Sequence, residues 1–320
     1  MLPELLAGSA AGGSGFAAHV IGGVAAAVAL TGSGCVAYGV FIERQAFTLR
    51  RFTVPVLPVG QRPLTVLHIS DMHLSTDRRN LVRWVDSLAG LRPDLVVTTG
   101  DNLSQPEALP MVYQAYARLF AVPGVFVFGS NDYFAGNPVN PLRYLGFARD
   151  REGHREILPH RELRATLVER GWHDVEHQRV ELSVDGRLVE VRGTKDAHLE
   201  LDTYGEVAGP PDPAAVLSIG VTHAPYLRLL DAMTADGVDL IMAGHTHGGQ
   251  VCVPFYGALT TNCDLDAARV KGLSSHTYGG RTSALHVSAG LGTSPYAPYR
   301  FACPPEATLL TLVARGTNRV

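Results

Sequence analysis

Charge is what the start of this chain lacks: residues 5–42 contain no Asp, Glu, Lys or Arg. An excess of either sign is missing from the whole. The 27 Lys and Arg stand against 30 Asp and Glu, which leaves no electrostatic footprint for nucleic acid, and no basic stretch is interleaved with aromatic residues. Nucleic-acid binding is set aside on that ground. Paired cysteines are missing too. Cys35, Cys252, Cys263 and Cys303 show no CxxC spacing, so neither a zinc ribbon nor a disulfide framework is indicated, and the redox compartment stays open. No internal repeat is evident, which excludes a repeat architecture.

The uncharged stretch is long enough, over residues 16–42, to cross a bilayer as a helix, although its Gly and Ala content makes it only moderately apolar. A secretory signal is the alternative, but such a signal begins with a basic segment and none precedes this one. Residues 1–51 are therefore read as a single-pass anchor with its juxtamembrane segment, and residues 52–320 as one large domain. Arg44, Arg50, Arg51 and Arg62 follow the apolar stretch while no Lys or Arg precedes it, so the positive-inside rule puts that domain on the cytoplasmic side.

Within the domain, residues 52–59 suit an edge strand, with β-branched side chains and two prolines. Residues 64–70, 94–100, 125–129, 216–223 and 239–244 read as buried strands. Between the first three, Leu81, Val82, Val85, Leu88 and Leu91, and then Val112, Tyr116, Leu119 and Phe120, recur at helical spacing. The order is β-α-β-α-β, an α/β fold. Residues 143–164 are rich in charge and read as a solvated excursion or a binding lid, ending in a helix near 163–170. Asp185-Gly186 between two apolar runs signals a hairpin. Residues 284–288 and 307–313 read as further strands, separated by a Gly- and Pro-rich loop.

Five short segments follow or end apolar runs and carry donors for hard divalent cations: Asp71-Met72-His73, Gly100-Asp101-Asn102, Gly129-Ser130-Asn131-Asp132, Thr222-His223 and Gly244-His245-Thr246-His247. Parallel strands gather their C-terminal ends along one sheet edge, so the fold itself would bring these loops together. Any one segment is weak. An Asp after a strand is more often a turn former or helix cap, and a lone His there is more often a satisfied core residue. Two imidazoles one residue apart before flexible glycines are harder to explain as packing. All five together indicate one dinuclear metal site, in which a carboxylate can bridge two ions. Asp196 and His198 read better as a polar loop than as cleft residues, Lys195 and Arg300 as solvated, and Tyr296 and Tyr299 as a cleft wall or a packed loop.

The ordered set resembles the calcineurin-like metallophosphoesterase superfamily, over nearly all of residues 64–312. Gly244-His-Thr-His-Gly-Gly-Gln250, Gly290-Leu-Gly-Thr-Ser294, Arg300-Phe301 and Cys303-Pro-Pro-Glu306 look like its bacterial branch with a membrane-targeting N-terminus. That resemblance implies a four-layer α-β-β-α sandwich and two divalent ions, commonly manganese, iron or zinc. It also implies ligand roles. Asp71, His73 and His247 would hold the first ion, Asp101 would bridge, and His223 and His245 would hold the second. The family's Gly-Asn-His-Asp segment, which supplies an Asn ligand and a His beside the leaving group, is altered here. A gapless match puts Ser130 at the Asn position and Asn131 at the His position.

A hydroxyl is the poorer neutral ligand, so Asn131 is preferred as the ligand completing the second shell, ahead of Ser130 with water. Asp101, Asn131 and Asp132 are then expected in the catalytic group, with Asn102 and Ser130 against substrate. The expected reaction is hydrolysis of a phosphoester or phosphoanhydride by metal-bound hydroxide. Absence of the family's His favours substrates with good leaving groups, and the anchor adds lipid-linked phosphates. A non-catalytic metal-binding or interaction module on the same fold, or a secreted phosphatase, are the competing readings.

Overall fold

The computed structural model describes residues 13–136 and 155–316. Most of the charged excursion expected from residue 143 lies outside these. Helix α1, Gly13–Phe41, is followed by strand β1, Thr48–Leu57. The sheet thus begins within the segment read as juxtamembrane, because β1 pairs in parallel along its length with the last strand, Thr48 opposite Glu306.

Strands β2 (Leu64–Ile69), β3 (Leu95–Thr98) and β4 (Gly124–Phe126) alternate with helices α2 (Arg79–Ser87) and α3 (Leu109–Tyr116). The one-turn helix α4 (Ser130–Tyr133), α5 (His160–Glu169) and β5 (Trp172–Asp174) complete the first half. Strands β6 (Gln178–Val184) and β7 (Arg187–Gly193) form the hairpin that Asp185-Gly186 signals, and both turn residues have positive φ, 48° and 72°. Then come β8 (Leu217–Val221), α6 (Leu227–Asp236) and β9 (Leu240–Ala243). A small hairpin, β10 (Cys252–Val253) and β11 (Gly257–Ala258), precedes β12 (Gly272–Tyr278), β13 (Arg281–Val287) and β14 (Glu306–Ala314).

The strands make two six-stranded sheets, ordered β1-β14-β2-β3-β4-β5 and β12-β13-β9-β8-β7-β6. Their inner faces share one apolar core. Val66, Val97 and Leu310 of the first sheet meet Val191, Ile219 and Met242 of the second. The outer face of the first sheet packs on α2, α3 and α5, and that of the second on α6. This is the four-layer sandwich. Strands β2 to β5 run parallel, as do β13, β9, β8 and β7. Both runs deliver their C-terminal ends to the same edge of the sandwich, where the donor-bearing loops lie.

Candidate metal centre

The strand ends are forced to turn sharply. Asp71, His73, Asp101, His245 and His247 all have positive φ, between 42° and 68°. Bulky L-residues seldom adopt this conformation, and it persists only where surrounding contacts impose it. Here the loops are bonded to one another. Asp71 and His73 donate their backbone N–H groups to the carbonyls of Gly100 and Asp101, both at 2.9 Å, and Gly244 N donates to His223 O at 2.8 Å. Gly129 and Gly244 sit where a side chain would run into neighbours: Asp101 and His223 at the first, Ser70 and Asp71 at the second.

The donors of Asp71, His73, Asp101 and His247 lie within 4.8 Å of one another, a grouping able to hold a metal ion. The Nε2 atoms of His73 and His247 face each other at 3.1 Å. Asp101 Oδ2 is 3.3 Å from His73 Nε2 and 3.6 Å from His223 Nε2, so one carboxylate oxygen stands between two imidazoles. His223 gives its other nitrogen to Thr99 O at 2.6 Å, leaving Nε2 as a lone pair directed at the centre. His245 Nδ1 lies 3.3 Å from that Nε2.

The electrostatics fit a cation. Burial holds His73, His245 and His247 below the usual imidazole range, so each offers a neutral ring. Burial also works against charge on His223, but Asp101, Asp196 and Asp71 outweigh it and push that pKa up to about 9. Burial opposes ionisation of Asp101 as well, yet His223 and His73 beside it keep it well below the usual carboxylate range. At the centre, the buried nitrogens His73 Nδ1 and His245 Nε2 have no hydrogen-bond partner among the described residues.

Asn131 reaches the centre. Its amide donates to Asp101 Oδ2 at 2.7 Å and its backbone N–H to Oδ1 at 2.8 Å, whereas the Ser130 hydroxyl meets only the Asn131 amide, at 3.3 Å. Asp132, expected in the catalytic group, has a fully buried carboxylate that accepts from the backbone N–H groups of Asp101, Asn102 and Gly129 at 2.7 to 3.0 Å, tying two loops together. Asn102 is spent in the same brace. Its amide nitrogen donates to Asp132, and its oxygen accepts from Tyr116 Oη at 2.6 Å.

Other residues gain roles that the sequence hid. Arg300, expected in solvent, is fully buried; its guanidinium donates to the carbonyls of Ala289, Gly290 and Gly292 and lies 3.3 Å from His247 Nδ1. Asp196, read as loop, is buried with Oδ2 unpartnered, and the ring of His198 stacks on His245 at 4.5 Å. His68 and His286 bond Nδ1 to Nδ1 at 2.9 Å between the sheets, and His68 continues through Thr99 and Ser70 to Asp71. No sequence pattern distinguished His68 from the apolar run around it. Tyr296 stands half-exposed beside Gly136, close to Asn131.

Residues 64–249 match the family described as calcineurin-like phosphoesterase, and that span holds every one of these ligand candidates. The chain belongs to this family. Among its relatives is the uncharacterized metallophosphoesterase YkuE of Bacillus subtilis, 27% identical over 309 residues, covering 92% of this chain and 95% of that one. The phosphodiesterase YaeI of Escherichia coli is 26% identical over 303 residues, covering 90% and 96%. A transmembrane protein with a metallophosphoesterase domain from Bos taurus is 25% identical over 210 residues, 62% of this chain and 44% of its own. The span Ala26–Gln45 of this metallophosphoesterase, which takes in the end of helix α1, is long and apolar enough to cross a membrane.

Proposed function

We propose that this chain is a membrane-tethered phosphohydrolase that works with two divalent ions and acts on a phosphodiester or phosphoanhydride. The observation that carries this reading is Asp101 Oδ2, flanked by His73 Nε2 at 3.3 Å and His223 Nε2 at 3.6 Å. One anionic oxygen so placed suits a bridge between two cations. Asp71, His73 and His247 would hold one ion, and His223, His245 and the Asn131 amide the other. Mixed imidazole and carboxylate donors suit manganese, iron or zinc. When bound, the ions would neutralise phosphate charge and acidify a water.

The chain's own residues supply the rest. Neutral His73, His245 and His247 keep their lone pairs available, and Asp101 stays anionic between them. Asn131, standing where the family's His is expected, has no proton to give a leaving oxygen at neutral pH. That is the reason for assigning substrates whose leaving group needs little protonation, and it agrees with the relative YaeI being a phosphodiesterase. Helix α1 adds lipid-linked phosphates to the candidates. Arg44, Arg50, Arg51 and Arg62 after the helix support a cytoplasmic orientation of the domain; digestion of the domain by protease added outside intact cells would overturn that reading.

The test is direct. Full-length protein in detergent with added manganese should hydrolyse an activated phosphodiester and turn over a soluble alkyl monoester far more slowly. Full metal occupancy without turnover on diesters, monoesters or anhydrides would instead make the chain a metal-binding module on this fold.

A further inference from the structure

The small hairpin that follows the last metal ligand is poorly suited to water. Phe255 at its tip is fully exposed, and Val251, Val253, Tyr256 and Leu259 around it are between 42% and 77% exposed. Single exposed apolar residues are ordinary, but a contiguous group marks a contact surface. Phe255 also has φ 67°, a conformation that an aromatic L-residue takes only when imposed. Among the described residues nothing covers its ring.

What lies beside the hairpin identifies the occupant. Its base is bonded to residue 301 on both sides: Cys252 N donates to Phe301 O at 2.8 Å and Phe301 N to Gln250 O at 3.1 Å. The same short segment seats the end of α1. Arg300 N donates to Gly39 O at 3.2 Å, the Phe301 ring meets Tyr38 edge-on at 6.2 Å, and the buried Glu43 carboxylate accepts from Ala302 N at 3.0 Å. Residue 301 therefore carries α1 on one side and the hairpin on the other. Around the last turns of α1, Val36, Phe41 and Ile42 are exposed, so the apolar surface continues from the helix toward the hairpin.

We propose that the β10–β11 hairpin is a second membrane contact, in which Phe255, Tyr256 and Leu259 enter the bilayer interface beside α1 and seat the mouth of the metal centre against the lipid surface. This rests on reading α1 as the membrane anchor. A loop held at the level of the last helical turn lies at headgroup depth, where aromatic side chains partition well and apolar ones bury about 5–10 Å into the boundary. Gln250 and His247 immediately precede the hairpin, so its seating fixes the distance between the centre and the membrane.

The test uses the full chain in phosphatidylcholine vesicles, with Phe255→Trp and Tyr278→Trp variants. Tyr278 is half-exposed at the β12–β13 turn, on the opposite edge of the sandwich, and serves as the water-facing control. After subtraction of the wild-type signal from Trp84 and Trp172, the tryptophan at 255 should be blue-shifted and lose about half its emission in acyl-brominated lipid, while that at 278 changes little. Vesicle flotation separates the two readings. Protein that floats with position 255 unquenched, or with both positions quenched alike, overturns the hairpin contact and leaves the anchor standing. Protein that does not float removes the anchor and the proposal together.

Discussion

The two halves of the proposed metal centre are built differently. Asp71, His73, Asp101 and His247 converge within 4.8 Å, and all four have positive φ. On the other side of Asp101, His245 shares the positive φ, at 68°, but His223 does not, and the third side chain within reach is Asn131 on a one-turn helix. Bracing differs in the same sense. Asp71 accepts from Ser70 Oγ and His245 N, and His247 leans on Arg300, whereas among the described residues the Asn131 side chain is held by Asp101 and Ser130 alone. The first half is locked at every ligand; the short loop that carries Asn131 makes the second the more adjustable one. The departure from the family's pattern falls in the adjustable half, where a change of side chain disturbs least.

Asp101→Asn should have the largest effect, because the substitution weakens both halves at once. Loss of the shared anionic oxygen is expected to lower kcat/KM on an activated diester by about a thousandfold or more, with metal content by mass spectrometry falling at both sites. Retention of one full equivalent would show that the halves bind independently. Arg300→Met then separates them. Removing a buried guanidinium takes its donors from the carbonyls of Ala289 and Gly292 and one of two from Gly290, and should destabilise the chain by about 3 kcal/mol in a urea titration. Metal affinity should fall at the half that includes His247 and hold at the half that includes His245.

Ser130→Asn with Asn131→His restores the family's pattern in the adjustable half alone. If the missing imidazole explains the substrate preference, turnover of an alkyl monoester should rise on the order of a hundredfold while that of an activated diester changes little. Equal changes on both substrates would show that the pair acts on metal binding, not on leaving-group protonation.

These contrasts also show what a sequence can carry. Periodicity and apolar runs exposed β2, β3, β4, β8 and β9, and the donors after them were legible because strand ends in a parallel sheet share an edge. Strand β5, only Trp172–Asp174, was missed because three residues hold no period, and β12 was missed because its exposed face lacks an apolar run. The ligands were visible as residue types, but Arg300, His68 and Asp132 were not visible as braces. Their roles depend on which buried carbonyls and N–H groups lack partners, a tertiary property. A histidine inside an apolar run looks the same whether it packs or links two sheets.

The smallest effect concerns that link, which reaches only the fixed half. His286, His68, Thr99 and Ser70 form a buried chain ending at Asp71, and burial holds both histidines below the usual imidazole range, His286 down to about 3. The unfolded chain takes up a proton near pH 6.5, but the native state does not until far lower pH. The native state therefore binds fewer protons, and the stability contribution, fully present above pH about 6.5, is lost as pH falls toward 3, at up to about 1.4 kcal/mol per pH unit for each histidine. Glu176, raised by burial to about 7, acts oppositely as pH rises from about 4.5, but it does so in wild type and variant alike. The difference between them isolates the histidine. His286→Gln, followed by urea unfolding across that acidic window, should flatten the acid limb, and an unchanged limb would mean that protonation is absorbed elsewhere and that the fixed half does not depend on the inter-sheet link.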